Sequence, residues 1–222
     1  YFIAQVFAVA EGQKRTATFG SDAQVNGAVA LHTIKRHLQN SGYGLTSAHE
    51  GLGCTIKGEY GAAGSTTAVP PMILAPVIIA QSAVASAPSD SLTILASNKS
   101  DFAVPNKVWQ PSNPASGNRF VRVKNSAGVK IGDVMMSVPQ AWDANHPCTL
   151  FTVAEDTSAP DTTLSAEYVP MVAAAASSFN HAPASVWPVG GLQTGDWIVN
   201  LGQQVRRMVF GVNGDNFQVV TW

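Results

Sequence analysis

The sequence predicts an α+β protein in which one long N-terminal α-helix packs on an antiparallel β-sheet domain. Two observations support this prediction. In residues 1–41 the apolar side chains recur at spacings of three and four, as they do on one face of a helix. From residue 43 onward the apolar period falls toward two, the spacing of a β-strand, and strands do not alternate with helices. We therefore expect an N-terminal helix at 1–42 and a β-rich globular domain at 43–222.

The N-terminal segment opens with ten residues that carry no charge, YFIAQVFAVA. Charged side chains begin at Glu11, and an amphipathic stretch follows. Its apolar stripe consists of Val25, Ala28, Leu31, Ile34 and Leu38. Residues 41–44 contain two glycines, which readily adopt the left-handed conformation that ends a helix. At about 1.5 Å per residue such a helix would be roughly 60 Å long. A compact domain of this size does not need that length, so the helix should project.

Short alternating runs predict the strands of the β domain. They lie at 89–97, 119–125, 134–138, 148–155, 197–202, 205–212 and 216–222. In the second of these runs we expect Arg122 and Lys124 to face water. The last two runs are separated by Asn213, Gly214 and Asp215, residues that suit the tight turn of a β-hairpin.

The remaining stretches predict loops and edge structure. The predicted loops are 43–70, with at most one short strand, 105–118 and 157–163. The prolines of the apolar run 70–80 predict an edge strand or an irregular packed segment. Residues 167–179 leave two possibilities open, because their alanines favour a short helix whereas Pro170 argues against one.

Composition narrows the class of protein. Only 12% of the 222 residues are charged and the net charge is −1, so there is no electrostatic case for a nucleic-acid partner. The small groups of basic residues are interpreted as solvated faces. Low charge with many small polar residues is typical of an exported, β-rich protein. No apolar run reaches the roughly 18 residues that cross a bilayer. The chain nevertheless starts within an apolar helix, and we expect a longer hydrophobic helix upstream.

The chain contains two cysteines, Cys54 and Cys148, far apart in sequence. An oxidising compartment outside the cytoplasm would favour a disulfide between them. Two buried thiols are the alternative. His49 and His146 lie near the cysteines, but the ligands are not in the closely spaced pairs of structural zinc sites.

No motif for catalysis or for cofactor binding is recognised. The sequence has no Gly-x-Ser-x-Gly elbow, phosphate-binding loop or dinucleotide fingerprint. Asp156, Asp161 and Asp215 could coordinate calcium, but without EF-hand spacing they are more simply interpreted as turn residues. We expect no catalytic, metal or cofactor site, and hence a protein that is not an enzyme.

Several segments, taken in their order along the chain, are similar to those of a known protein family. They are 4–44, which ends in ALHTIKRHLQNSGYG, Gly53 with Cys54, 87–97, 130–138 with 148–153, 179–191, and 198–217. Together they resemble the PilW-type minor pilins, members of the type IV pilin-like superfamily. Residues 55–86 and 157–178 add nothing to the resemblance. The cleavage site and the glutamate that mark the start of mature pilins do not occur in these 222 residues.

The resemblance implies a non-enzymatic subunit that primes type IV pilus assembly and sits at the pilus tip. Its helix would hold it in the bacterial inner membrane, with the β domain in the periplasm, before it enters the extracellular pilus. The helix would bind other minor pilins and the major pilin, with a tip adhesin as a further candidate partner. The subunit contacts would be Ile3, Val6, Phe7 and Val9. The residues expected to pack on the chain's own sheet are Val25, Val29, Leu31, Ile34 and Leu38.

Two alternatives with this architecture or anchor remain open at this point, and a third, an exported hydrolase, lacks the nucleophile or metal constellation that it would need. A minor pseudopilin of a type II secretion system would share this architecture. A membrane-anchored module that binds calcium or carbohydrate would use the helix only as an anchor.

Overall fold

The computed structural model of the chain is α+β, as the sequence predicts. It describes residues 2–81, 90–99, 104–156, 163–173, 178–213 and 216–221. One long helix, α1 (Phe2–Gln39), precedes a mostly antiparallel β domain. Gly42 and Gly44 follow the helix with φ of 72° and 76°, so the predicted glycine stop is confirmed.

The described residues form fourteen strands. The first seven are β1 (Thr55–Lys57), β2 (Glu59–Ala62), β3 (Ser65–Ala68), β4 (Met72–Ile73), β5 (Val77–Ala80), β6 (Ser91–Ser97) and β7 (Asn106–Gln110). The second seven are β8 (Phe120–Val123), β9 (Val134–Val138), β10 (Cys148–Thr152), β11 (Tyr168–Pro170), β12 (Trp197–Gly202), β13 (Val205–Asn213) and β14 (Asn216–Thr221). The strands predicted by alternation, β6, β8, β9, β10, β12, β13 and β14, are all confirmed.

The structure corrects the loop predictions at two places. The hairpin β2–β3 lies within 43–70, and β7 lies within 105–118. Neither has the apolar alternation of a half-buried strand: no residue of the hairpin is fully buried, and β7 buries only Val108. Backbone pairing rather than side-chain burial defines these strands, so hydrophobic periodicity could not reveal them.

The remaining predictions for the β domain fall partly outside the described residues. Short strands β4 and β5 lie at sheet edges, which confirms the prediction for 70–80. The open stretch 167–179 contains β11 and the start of a 3₁₀ turn, Phe179–His181, while 174–177 lie outside the described residues. Residues 157–162 of the predicted loop 157–163 also lie outside the described residues. Strands β13 and β14 pair as predicted, but turn residues 214 and 215 are not described.

The strands form two main sheets and the small β2–β3 hairpin. The large sheet has eight strands in the order β11-β8-β7-β12-β9-β10-β1-β4, and only its β1–β10 pair is parallel. The small sheet has four strands in the order β14-β13-β6-β5, all antiparallel. Both faces of the large sheet are covered, which explains why all five residues of β9 are buried.

Successive residues of the central strands supply two separate cores. Met136 of β9 faces a cluster that also contains Leu95 and Val205 of the small sheet. Its neighbour Met135 faces a second cluster with Phe151. Since side chains of a strand alternate between faces, one fully buried strand serves both layers. The first cluster also packs the small sheet against the large one.

A disulfide between Cys54 and Cys148 ties two distant parts of the chain together. The Cα atoms are 5.9 Å apart, and the bond spans 94 residues of sequence. It lies beside the parallel pair, in which Ile56 is opposite Cys148. Closing a loop of this length stabilises the fold by about 4 to 5 kcal/mol in the chain-entropy model. Such a bond indicates an extracytoplasmic, oxidising location.

A buried ion pair joins the two sheets at a second point. The Lys99 ammonium lies 2.7 Å from Asp133 Oδ2, with side chains only 5% and 2% exposed. The same carboxylate oxygen accepts hydrogen bonds from Asn200 Nδ2 at 2.8 Å and from the Lys130 amide at 2.9 Å. Lys99 follows β6 and Asp133 precedes β9, so this pair fixes how the small sheet meets the large one.

Candidate functional site

Among the described residues, the last turns of helix α1 pack on its own β domain. Of the helix side chains that are described, the half-buried ones are Ala30, Thr33, Ile34 and His37. Ile34 packs against the cluster formed by Ile94, Met208 and Phe210 on the small sheet. The ring centroids of His37 and Phe210 are 5.7 Å apart.

Backbone hydrogen bonds hold the end of the helix to the small sheet. The Gly42 amide donates to the Leu95 carbonyl, and the Ser97 amide donates to the Tyr43 carbonyl, each at 3.0 Å. Strand β5 pairs with the first half of β6. The chain that follows α1 therefore lies next to the second half of β6. This anchor fixes the direction in which the rest of the helix leaves the domain.

The predicted contact between α1 and its own sheet is wrong for four of its five residues. Only Ile34 packs there. The exposed fractions are 58% for Val25, 61% for Val29, 68% for Leu31 and 37% for Leu38. At about 100° per residue these four lie roughly 90° to 130° around the helix from its packed face. The stripe in the sequence is real, but periodicity cannot tell which of two overlapping helix faces meets the sheet.

The residues that the resemblance assigns to subunit contact are all highly exposed. We call Ile3, Val6, Phe7 and Val9 the N-terminal patch; their exposed fractions are 74%, 61%, 72% and 60%. Ile3, Val6 and Phe7 lie roughly 130° to 170° around the helix from the packed face, given about 100° per residue. The structure therefore leaves these apolar side chains in solvent, on the side of α1 that faces away from the small sheet.

The apolar surface that α1 exposes is large. Among the helix side chains that the structure describes, nine large apolar ones are at least 37% exposed: the N-terminal patch, Phe19, Val25, Val29, Leu31 and Leu38. Their exposed surface is on the order of 1,000 Å², against the roughly 800 Å² that each partner buries in a standard protein interface. A stable soluble monomer rarely leaves this much apolar surface on one element. No helix among the described residues is long and apolar enough to span a bilayer.

A separate cleft of about 350 Å³ contains ionisable residues of the β domain, among them Asp143, His146 and Asp196. Asp143 Oδ1 lies 2.9 Å from His146 Nδ1 and accepts the backbone amides of Asn145 and His146. The hydrogen bond from His146 is the main cause of an Asp143 pKa below its ordinary value. Because the pKa of Asp143 is lower in the folded chain, the ionised carboxylate stabilises the fold above pH 3.8. This stabilisation is lost as the pH falls further.

Asp196 lies in the same cleft and behaves in the opposite way. Burial raises the pKa of its carboxyl group, against hydrogen bonds from the amides of Gln193 at 2.7 Å and Gln140 at 3.2 Å. Through these hydrogen bonds the Asp196 carboxylate holds together the loops that contain Gln140 and Gln193. Among the described residues, the hydrogen-bond partner of the His146 ring is the Asp143 carboxylate rather than a hydroxyl or thiol.

The metal-site possibilities find no support in the described parts of the chain. No group of three or more His, Cys, Asp or Glu residues there could hold a metal ion. Cys54 and Cys148 share a disulfide, so neither sulfur is a thiolate ligand. Of the calcium candidates, Asp156 lies 3.9 Å from Arg119, and Asp161 and Asp215 are outside the described residues.

The sequence analysis did not predict two features of the β domain. Lys99 and Asp133 lie 34 positions apart, and no local motif signals their pairing. Arg122, expected to face water, is half-buried: its guanidinium lies 4.7 Å from the Tyr168 ring and donates to Gln110 at 2.6 Å. The aromatic residue is on β11, which had no strand signal, so this stacking could not be foreseen. Lys124 is exposed, as predicted.

Comparisons with known proteins identify no relative. No protein-family profile, no curated protein and no solved structure matches this chain. The long N-terminal helix, the antiparallel β domain and the disulfide together make a pilin-like architecture.

Proposed function

We propose that this chain is a non-enzymatic minor pilin of the PilW type, which takes part in priming type IV pilus assembly and sits at the pilus tip. The β domain would stand in the periplasm while α1 continues toward the inner membrane. In the filament α1 would contact other minor pilins and the major pilin, and the domain would be displayed to the outside, where a tip adhesin is a further partner.

One observation carries the proposal. Helix α1 exposes a large apolar surface, and within the described part of the chain its half-buried residues begin at Ala30. Burial of one such large apolar side chain contributes about 1.5 to 3 kcal/mol. A bundle of helices from neighbouring subunits would bury many of them together. The disulfide supports the same location, since it fits a protein exposed to the periplasm.

A minor pseudopilin of a type II secretion system is the second candidate, because the same exposed helix would serve in a pseudopilus. The genes that adjoin the coding sequence distinguish the two: pilus assembly genes support the first and secretion genes the second. The third candidate is a membrane-anchored surface-binding module. Calorimetric titration of the chain with calcium and with glycans tests it.

The proposal predicts that an epitope-tagged chain is recovered with sheared surface filaments at a low ratio to the main subunit. Deleting its gene should lower the number of filaments per cell, because a priming subunit acts before elongation. Filament counts by electron microscopy and immunoblots of the sheared fraction measure both effects. Normal filament numbers after deletion, with the tagged chain confined to the cell envelope, would refute the proposal.

A further inference from the structure

Strands β7, β8 and β11, at one end of the large sheet, bury only one of their faces. That face belongs to the second core cluster, in which these strands place side chains at most 1% exposed: Val108, Val121, Val123 and Val169. The alternate positions of the three strands, apart from Pro170, are exposed or half-buried. Among the described residues, the first core cluster covers this other face at β12, β9 and β10 but contains no residue of these three strands.

Strand register shows which side chains share the uncovered face. Trp197 of β12 packs against the first cluster and is opposite Lys107 of β7. Gln110 of β7 is opposite Arg122 of β8, and Arg122 is opposite Tyr168 of β11. Register partners point to the same side of a sheet, so these side chains form two rows. Trp109 lies between the rows, at the bulge of β7, and is 45% exposed. We call these six residues the open face: Lys107, Trp109, Gln110, Arg122, Tyr168 and Trp197.

Both cations of the two rows are held over aromatic rings. The Lys107 ammonium lies 4.3 Å from the centroid of the Trp197 ring, and the Arg122 guanidinium lies 4.7 Å from that of Tyr168. Arg122 also donates a hydrogen bond to Gln110 Oε1 at 2.6 Å. These contacts position the two positive charges before a ligand arrives, which lowers the entropy that binding must lose.

The open face carries an excess of positive charge. Within the described part of the chain, neither Lys107 nor Arg122 forms an ion pair with a carboxylate. Lys124, which follows Arg122 by two residues, is exposed as well. The Glu50 carboxylate lies at one end of the face, where it accepts the indole N–H of Trp197 at 3.0 Å. An exposed indole is therefore flanked on both sides by fixed cations, a combination that suits a ligand with flat apolar surfaces and negative charge.

We propose that the open face binds a carboxylated polysaccharide, a chain of sugars that bear carboxylate groups. The exposed ring of Trp109 offers a flat apolar surface to the C–H face of one sugar ring. Lys107 on one side and Arg122 on the other are positioned for the carboxylates of the adjoining sugars. From β12 to β11 the face extends about 14 Å, at roughly 4.8 Å per strand step, which suits several linked sugars better than one.

Two other classes of polyanion fit the open face less well. Bases of a nucleic acid need free ring faces on which to stack, whereas cations already lie over the rings of Trp197 and Tyr168. The chain also has a net charge of −1. An extended acidic peptide gains much of its affinity from backbone groups at a sheet edge, and the open face presents side chains instead.

Calorimetric titration of the chain with an oligogalacturonate of several sugars tests the proposal. The methyl ester of the same oligomer is the matched ligand, because it keeps the sugar rings and loses the charges. We expect saturable binding of the acid that weakens as salt is raised, and binding of the ester that is weaker by about tenfold or more. Equal binding of acid and ester would overturn the proposal, and so would no binding of either an oligogalacturonate or an oligomannuronate. Equally tight binding of polyglutamate or single-stranded DNA would assign the face to another class of partner.

Substitutions locate the binding on the open face. Trp109→Ala should weaken binding of the oligogalacturonate by about tenfold or more, as expected for an aromatic anchor. Lys107→Gln should weaken it several-fold and reduce its salt dependence. Trp142→Ala and Arg206→Gln are the matched controls, because Trp142 is 41% exposed and Arg206 is exposed on the small sheet. Both controls should leave binding unchanged.

The unfolding midpoint of each variant shows whether a loss of binding is local. Arg122→Gln should also weaken binding, but Arg122 contacts its neighbours within the fold, so the variants of Trp109 and Lys107 decide the result. Unchanged binding by the Trp109→Ala chain, or an equal loss in the Trp142→Ala chain, would overturn the assignment to the open face.

Recovery in sheared filaments separates this inference from the proposed function. Trp109→Ala leaves α1 unchanged, so this chain should be recovered like the unsubstituted one. Its loss from filaments with oligogalacturonate binding retained would make the open face a subunit contact and overturn the inference. A chain that binds the oligogalacturonate through Trp109 but never enters filaments would uphold the inference and refute the proposed function.

Discussion

Replacing Val6 and Phe7 together with aspartate is expected to abolish incorporation of the chain into filaments. Both residues are more than 60% exposed in the isolated chain, and neither belongs to the buried core, so their substitution leaves that core intact. In a helix bundle the same positions would be surrounded by apolar side chains, and an unpaired carboxylate there is strongly unfavourable. The measurement is the amount of chain in sheared filaments relative to the amount in cells.

Two controls make this result specific. Asn125→Asp with Ala127→Asp adds the same charge at an exposed loop of the β domain and should leave incorporation unchanged. The thermal unfolding midpoint of the Val6→Asp/Phe7→Asp chain should match that of the unsubstituted chain, because the β domain is untouched. Incorporation at the normal level would show that these two residues are not subunit contacts.

Replacing Asp133 with alanine is expected to destabilise the β domain by about 3 to 5 kcal/mol, the usual effect of removing one partner from a buried ion pair. The Lys99 ammonium would stay buried without its carboxylate, and Asn200 would lose its acceptor for the bond of 2.8 Å. Denaturant unfolding at pH 7 measures the loss as a lower midpoint.

An exposed ion pair of the same domain provides the comparison. The side chains of Arg119 and Asp156 are 61% and 34% exposed, so Arg119→Ala should change the free energy of unfolding by about 1 kcal/mol or less. Adding Lys99→Met to Asp133→Ala should recover part of the loss, since the buried charge is then gone. A loss for Asp133→Ala no larger than that for Arg119→Ala would contradict the structural role of the buried pair.

The parts of the fold that sequence could predict are those with a strong local signal. Helix α1 combines long periodicity with a glycine stop, and β13–β14 has a hairpin signal between two alternating runs. Strand β7 has a single buried residue, Val108, and so lacks such a signal. The parallel pairing of β1 with β10 depends on residues more than 90 positions apart, which no local pattern encodes.

The candidate site was predictable to a similar degree. The uncharged start of the helix pointed to the N-terminal patch, and the structure leaves those side chains exposed. Which face of α1 meets the small sheet was not predictable, because Ile34 belongs both to the predicted stripe and to the face that packs.

The central claim is that the exposed apolar face of α1 is covered by other subunits in the assembled state. Thiol labelling at one position tests this most directly, because no free native cysteine interferes. A Phe7→Cys chain should react with a maleimide when isolated and be protected in sheared filaments, whereas Asn125→Cys should react in both. Equal labelling of Phe7→Cys in the isolated chain and in filaments would contradict the claim.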